Sequence, residues 1–111
     1  MEKSIVFTGI VKDRKLYCDG VEIKNDTSLI NHSPDGFMWG YNGSGPAQCS
    51  FMILFTYFTK VKGYAKAEAL RKTHALYQDF KFGIISKQSS DEDFMLPAFW
   101  IDHWIAYREV A

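Results

Sequence analysis

The sequence predicts an α+β domain: a small antiparallel β-sheet, a meander plus a later strand, packed against three helices in the order βββ-loop-αα-β-α. Three observations predict it. Short apolar runs flank an Asp-Gly pair near the N-terminus. An almost wholly apolar stretch follows a Gly-Ser-Gly-Pro turn in mid-chain. Two later segments repeat apolar residues at helical spacing. At 111 residues the chain is a single domain, 1–111, long enough to bury one core.

The first strand falls within residues 4–11. Ile5, Phe7 and Gly9 alternate with Val6, Thr8 and Ile10, and both sides are apolar enough for a strand covered on each face. A polar turn at 12–15 follows. Leu16, Tyr17 and Cys18 then face Val21, Glu22 and Ile23 across Asp19-Gly20. A type I′ turn needs positive φ at both central positions, and Asp-Gly meets that need. The meander therefore spans residues 4–24.

Residues 25–45 show no periodic pattern. Loops of this length are uncommon in compact domains and often carry function. Ser33, Pro34, Asp35 and Gly36 suit a type I turn, and Asn42-Gly43 a second. Phe37, Met38, Trp39 and Tyr41 lie between them, so the loop either packs on the domain or presents a sticky surface.

Ser44 or Gly45 suits the N-cap of the main helix and Pro46 its first position. The helix runs to about Lys60 and is apolar nearly all round, the mark of a buried helix. The Gly43 and Gly45 positions are expected to hold backbone conformations that disfavour a Cβ. After Gly63, residues 64–79 read as a second helix. Residues 80–87 read as β-like, with Phe82, Ile84 and Ile85 apolar. Residues 88–93 are acidic and expected to be mobile. Residues 94–96 add a short extended piece, and Pro97 opens a last helix to about Arg108. Trp100 and Trp104 share one face of it.

Formal net charge is zero, from 13 basic and 13 acidic residues, which argues against a phosphate-tracking nucleic-acid binder. Hydrophobic content of 47% argues against disorder. The apolar run 51–58 is too short to cross a bilayer, so no membrane role is expected. Cys18 and Cys49 form no CxxC pair, and no signal peptide is evident. A reduced, cytoplasmic setting follows. Zero charge with many aromatics also favours self-association. The expected form is a homodimer through Trp100, Trp104 and Tyr107 of the last helix.

Three site readings arise. The Gly-Ser-Gly-Pro turn offers backbone N–H groups and a helix dipole to an anion or nucleotide. The residues involved would be His32, Trp39, Tyr41, Asn42, Gly43, Ser44, Gly45 and Ala47. The turn lacks a P-loop lysine, and Pro46 removes one donor, so an ordinary loop-to-helix junction is the plainer reading. His32 with Ser33 and Asp35 suggests a hydrolase. Those residue types are common in turns, however, and there is no nucleophile elbow. No catalytic residue is assigned. His74, His103 and the cysteines lack metal-ligand spacing, so no metal and no cofactor is expected. The third reading is a protein partner bound through Trp39, Tyr41, Trp100 and Tyr107.

The segment 32–48, HSPDGFMWGYNGSGPAQ, resembles the signature of a small uncharacterised domain family of bacteria, phages and mobile elements. Its members read roughly HSPDGFxWGYxGSGPAQ before an apolar helix. LYQDFKFGIIS, residues 76–86, resembles the family's tail segment, and the turn at 17–21 suits its leading hairpin. The chain departs from the pattern after Lys87. No activity is assigned to the family. By analogy, the resemblance implies a non-enzymatic binding protein of phage or mobile-element type. Such a protein would engage a bacterial host protein and modulate or inhibit a host system, as anti-defence inhibitors do.

Overall fold

The computed structural model describes residues 4–110, with side chains described through Arg108. Strands β1 (Val6–Ile10), β2 (Lys15–Cys18) and β3 (Val21–Ile23) form the predicted meander. Strand β4 (Phe94–Pro97) returns to the free side of β1, giving an antiparallel sheet in the order β3-β2-β1-β4. Asp19 and Gly20 both have positive φ, 52° and 81°, as the type I′ turn requires. Asp19 also ties the hairpin to β1, because its N–H donates to the Val6 carbonyl and its carboxylate accepts from Val6 N–H.

Helix α1 (Ser44–Thr56) crosses one face of the sheet, and its Phe51, Ile53 and Leu54 are fully buried. It continues into a π-helical turn, Tyr57–Val61, that ends near Gly63, where φ is +74°. Helix α2 (Lys66–Gly83) packs against α1 and passes through a 3₁₀ turn, Ile85–Lys87. Helix α3 (Ala98–Val110) begins immediately after β4. The core is the sheet side carrying Phe7, Leu16, Ile23 and Leu96, closed by α1 and sealed by Phe80 and Ile101.

Two expectations change. Residues 80–87 are helical, not β-like. Tyr77, Phe80 and Ile84 continue the three-to-four-residue spacing of α2, and Ile84 N–H still donates to the Phe80 carbonyl. Helical periodicity of burial outweighs the local β-propensity of the isoleucines. The extra strand comes instead from residues 94–97. The sheet is also covered on one face only. Phe7 is buried, whereas Val6, Thr8 and Ile10 on the other side stay half-exposed, beside Tyr17 and the exposed Met95.

Candidate functional site

Polar groups of Asn25, Ile30, His32 and Ser33 converge on one helical side chain. Gln48 lies in the first turns of α1, fully buried among apolar neighbours. A buried amide must be paired. Its Oε1 accepts from His32 N–H at 2.8 Å and more weakly from Ser33 N–H. Its Nε2 donates to Asn25 Oδ1 at 2.7 Å and to the Ile30 carbonyl at 2.9 Å. Asn25 Nδ2 in turn donates to the Ser33 carbonyl at 3.0 Å. One glutamine thus fixes both limbs of the long loop to the helix.

The same residues answer the hydrolase reading. Ser33 Oγ donates to the Gly36 carbonyl, and His32 Nε2 meets the Tyr77 hydroxyl at 2.9 Å. Asp35 lies exposed on the turn. The three polar types are engaged separately, each in a turn or a packing contact, and form no nucleophile–base pair.

Trp39 is fully buried rather than presented. Its indole N–H donates to the Glu92 carbonyl at 2.9 Å, and Phe94 meets its ring edge-on at 4.9 Å. The Arg14 guanidinium lies 4.8 Å from the ring centre and donates to the Ser90 carbonyl. Gly40 completes the junction. Its φ is +88°, its N–H donates to the Ile85 carbonyl, and a Cβ there would lie 2.6 Å from the Ser90 backbone. Val11 N–H is bound by the Asp93 carboxylate at 2.7 Å. The acidic segment 88–93 is therefore anchored at several points, contrary to the mobility its composition suggests. Trp39, named from sequence for both ligand and partner contact, offers no surface to either.

At the helix start the N-cap is Gly43 and not Ser44 or Gly45, and no side chain caps it. Neither Gly43 nor Gly45 has positive φ. Gly43 is simply extended, and Gly45 lies in the helix. The glycines are needed for close approach instead. A Cβ on Gly43 would lie 2.6 Å from the Tyr41 ring, and one on Gly45 2.6 Å from Met38 Cβ and Cγ. The space against both glycines is filled by this chain's own Tyr41 and Met38. Asn42, Ser44 and Tyr41 remain exposed around the turn, while Ala47 is buried.

The partner-type residues fare differently. Trp100 is 56% and Tyr107 76% exposed on α3, and Phe99 and Met95 nearby are exposed as well. Trp100, His103, Trp104 and Tyr107 follow the i, i+3, i+4, i+7 spacing of one helical stripe. With Ile84 they line a hollow of about 570 Å³. Through Ile84 and Trp100 this hollow meets a second, of about 280 Å³, that reaches Lys87, Met95 and Leu96. Trp104 forms the floor, its ring edge-on to Phe80 at 5.3 Å, with Arg108 over its face.

A third cluster was not legible in the sequence. The Tyr57 hydroxyl, at the π-helical turn, donates to the Asp102 carboxylate, and Lys62 Nζ lies 3.1 Å from the same group. Burial, then the Asp102 contact, pushes the Tyr57 hydroxyl well above the ordinary tyrosine range. For Asp102, partial burial pushes upward. The Tyr57 hydrogen bond and the Lys62 ammonium outweigh it and hold the carboxyl below its ordinary value. The cluster binds α3 to the end of α1. Its signal was only a lone aspartate on an aromatic helix, which spacing does not join to residues 57 and 62.

A model of a family of unknown function, DUF6166, matches residues 8–107. The chain belongs to that family. No curated protein and no solved structure matches it. The DUF6166 match begins within β1 and ends within α3, so the anchored loop and the residues lining the α3 groove fall within one family unit. Among the described residues, no helix is long and apolar enough to cross a membrane.

Proposed function

We propose that this protein is a non-enzymatic binding module that acts by occupying a partner protein through the aromatic face of α3. The observation that supports this is the exposure of Trp100 and Tyr107 along a continuous apolar groove. Large aromatics on a small surface are expensive to leave in water, and contiguous exposed apolar patches mark interaction sites. Tyr and Trp are also the residues that dominate binding energy at protein interfaces. The proposed partner is a bacterial host protein, modulated or inhibited in the manner of phage or mobile-element anti-defence proteins. Cytoplasmic action fits two free cysteines, one of them fully buried. Tyr41, exposed on the loop, extends the proposed contact set.

The ligand reading has less support. Tyr41 and Met38 occupy the space beside the helix-start glycines, so an anion would have to displace them. The test is capture of partners from a bacterial host lysate on the immobilised protein, beside a Trp100→Ser/Tyr107→Ser variant. A host protein retained by the native chain and lost from the variant, at equal thermal stability, supports the reading. Equal retention by both removes it.

A further inference from the structure

The β2–β3 hairpin and the end of α1 line a cleft together with residues of the long loop. Cys18 and Val21 are paired across the hairpin on the same face as the buried Leu16 and Ile23. Helix α1 covers Leu16 and Ile23, but Val21 remains 70% exposed. The cleft left between hairpin and helix has a volume of about 430 Å³. That lies in the range of small-molecule sites, roughly 300–1,000 Å³.

The walls are apolar and soft. Cys18, Val21 and Ile23 come from the hairpin, Leu29 from the loop, and Met52 and Phe55 from α1. The lining also carries polar residues: Glu22, Lys24, Asp26, Thr56, Thr59 and Lys60. Most of them are already engaged. Glu22 lies 3.6 Å from Lys24 and 4.0 Å from Lys15. Asp26 accepts from Ser28 N–H and from its hydroxyl. Thr59 Oγ1 donates to the Phe55 carbonyl, within its own helix. Among the described residues Lys60 has no ion-pair partner, and it is exposed on the last helical turn.

An apolar cleft with one unpaired ammonium at its rim selects an apolar body carrying one negative head. We propose that this cleft binds a small amphiphilic carboxylic acid, with its hydrocarbon part between the hairpin and α1 and its carboxylate at Lys60. Two carboxylates share the lining: Glu22 is held between Lys15 and Lys24, and Asp26 accepts from Ser28 and feels the Lys66 charge, which offset their repulsion of the head. The Cys18 thiol serves as an apolar wall. Burial, then the Asp19 charge, raises its pKa above the ordinary value, so it labels slowly enough for protection to be read. This inference is independent of the α3 interface.

Cys18 also reports on the cleft. It is the partly accessible cysteine, because Cys49 is fully buried. The experiment measures the rate of Cys18 alkylation by a maleimide on the intact protein, with decanoate, 1-decanol or decylamine below their aggregation concentrations. Decanoate is expected to slow labelling at least tenfold, saturably. Decanol should need about ten times the concentration, and decylamine should protect least. Lys60→Met should reduce decanoate to the level of decanol. Thr56→Phe fills the cleft from the helix and should abolish protection by both. Val21→Trp fills it from the exposed strand edge, where folding tolerates change, and should do the same. The proposal is overturned if decanoate does not slow labelling in the native chain. It is equally overturned if the protection survives both filling variants or is unchanged in Lys60→Met.

Discussion

The indole N–H of Trp39 donates to the backbone carbonyl of Glu92 across 53 residues of sequence, at 2.9 Å. This bond joins the aromatic loop to the segment that feeds β4, so Trp39 acts as an internal rivet. Trp39→Ala is expected to cost ~3–5 kcal/mol, through lost burial, a cavity and an orphaned carbonyl. Urea melts check this. A loss below about 1 kcal/mol would mean that the loop packs elsewhere in solution.

Gln48 deserves the same test for a different reason. Gln48→Leu keeps apolar volume but strands His32 N–H, the Ile30 carbonyl and the Asn25 amide. Unsatisfied buried groups cost ~1–3 kcal/mol each, so a total on the order of 3 kcal/mol is expected. Amide exchange should accelerate first at residues 30–33. A neutral or stabilised variant would show that water replaces the glutamine without cost.

The Tyr57–Asp102–Lys62 cluster predicts stability losses at both ends of the pH scale. Asp102 has a depressed carboxyl in the folded chain, so the unfolded chain binds its proton first as pH falls. Its contribution is complete above the ordinary carboxylate value of about 4 and is lost as pH drops below it. Tyr57 is raised, so the unfolded chain releases its proton first. Its contribution is complete below about pH 10 and declines above that value. Tyr57→Phe should flatten the alkaline limb and Asp102→Asn the acid limb of a melting-temperature profile. Unchanged limbs in both variants would count against the cluster.

Self-association, if it occurs, would draw on the α3 face proposed for the partner. If two copies meet through α3, sedimentation equilibrium should show a monomer–dimer balance that Trp100→Ser shifts to monomer. A closed two-fold pairing would stop at the dimer. A monomer at every concentration would leave α3 free for the host partner alone.

Much of the fold was legible because local rules and packing agree. Asp19-Gly20 demanded its turn, and the apolar run on α1 demanded burial. Residues 80–87 misled because Ile84 and Ile85 favour strands locally, while their spacing from Tyr77 and Phe80 continues the helix. The site was less legible for a physical reason. Trp39, His32 and Gln48 carry side chains suited to chemistry, yet here they hold the fold: Trp39 pairs with the Glu92 carbonyl, His32 with the Tyr77 hydroxyl, and Gln48 with the backbone of Ile30 and His32. A polar Gln48 in an apolar helix was the available signal, since such a residue must bring partners with it. The Tyr57–Asp102 contact depends on how α3 docks, which no local pattern encodes. The exposure of Trp100 and Tyr107 was readable because one short helix carries more aromatic surface than the core can absorb.

The most direct test of the partner account is hydroxyl-radical footprinting of the purified complex with a captured host protein, beside the free chain. The account predicts strong protection of Trp100, Tyr107 and Met95, with Trp39 unreactive in both states. Protection confined to Tyr41 and the helix-start turn, with Trp100 and Tyr107 as reactive as in the free chain, would contradict it.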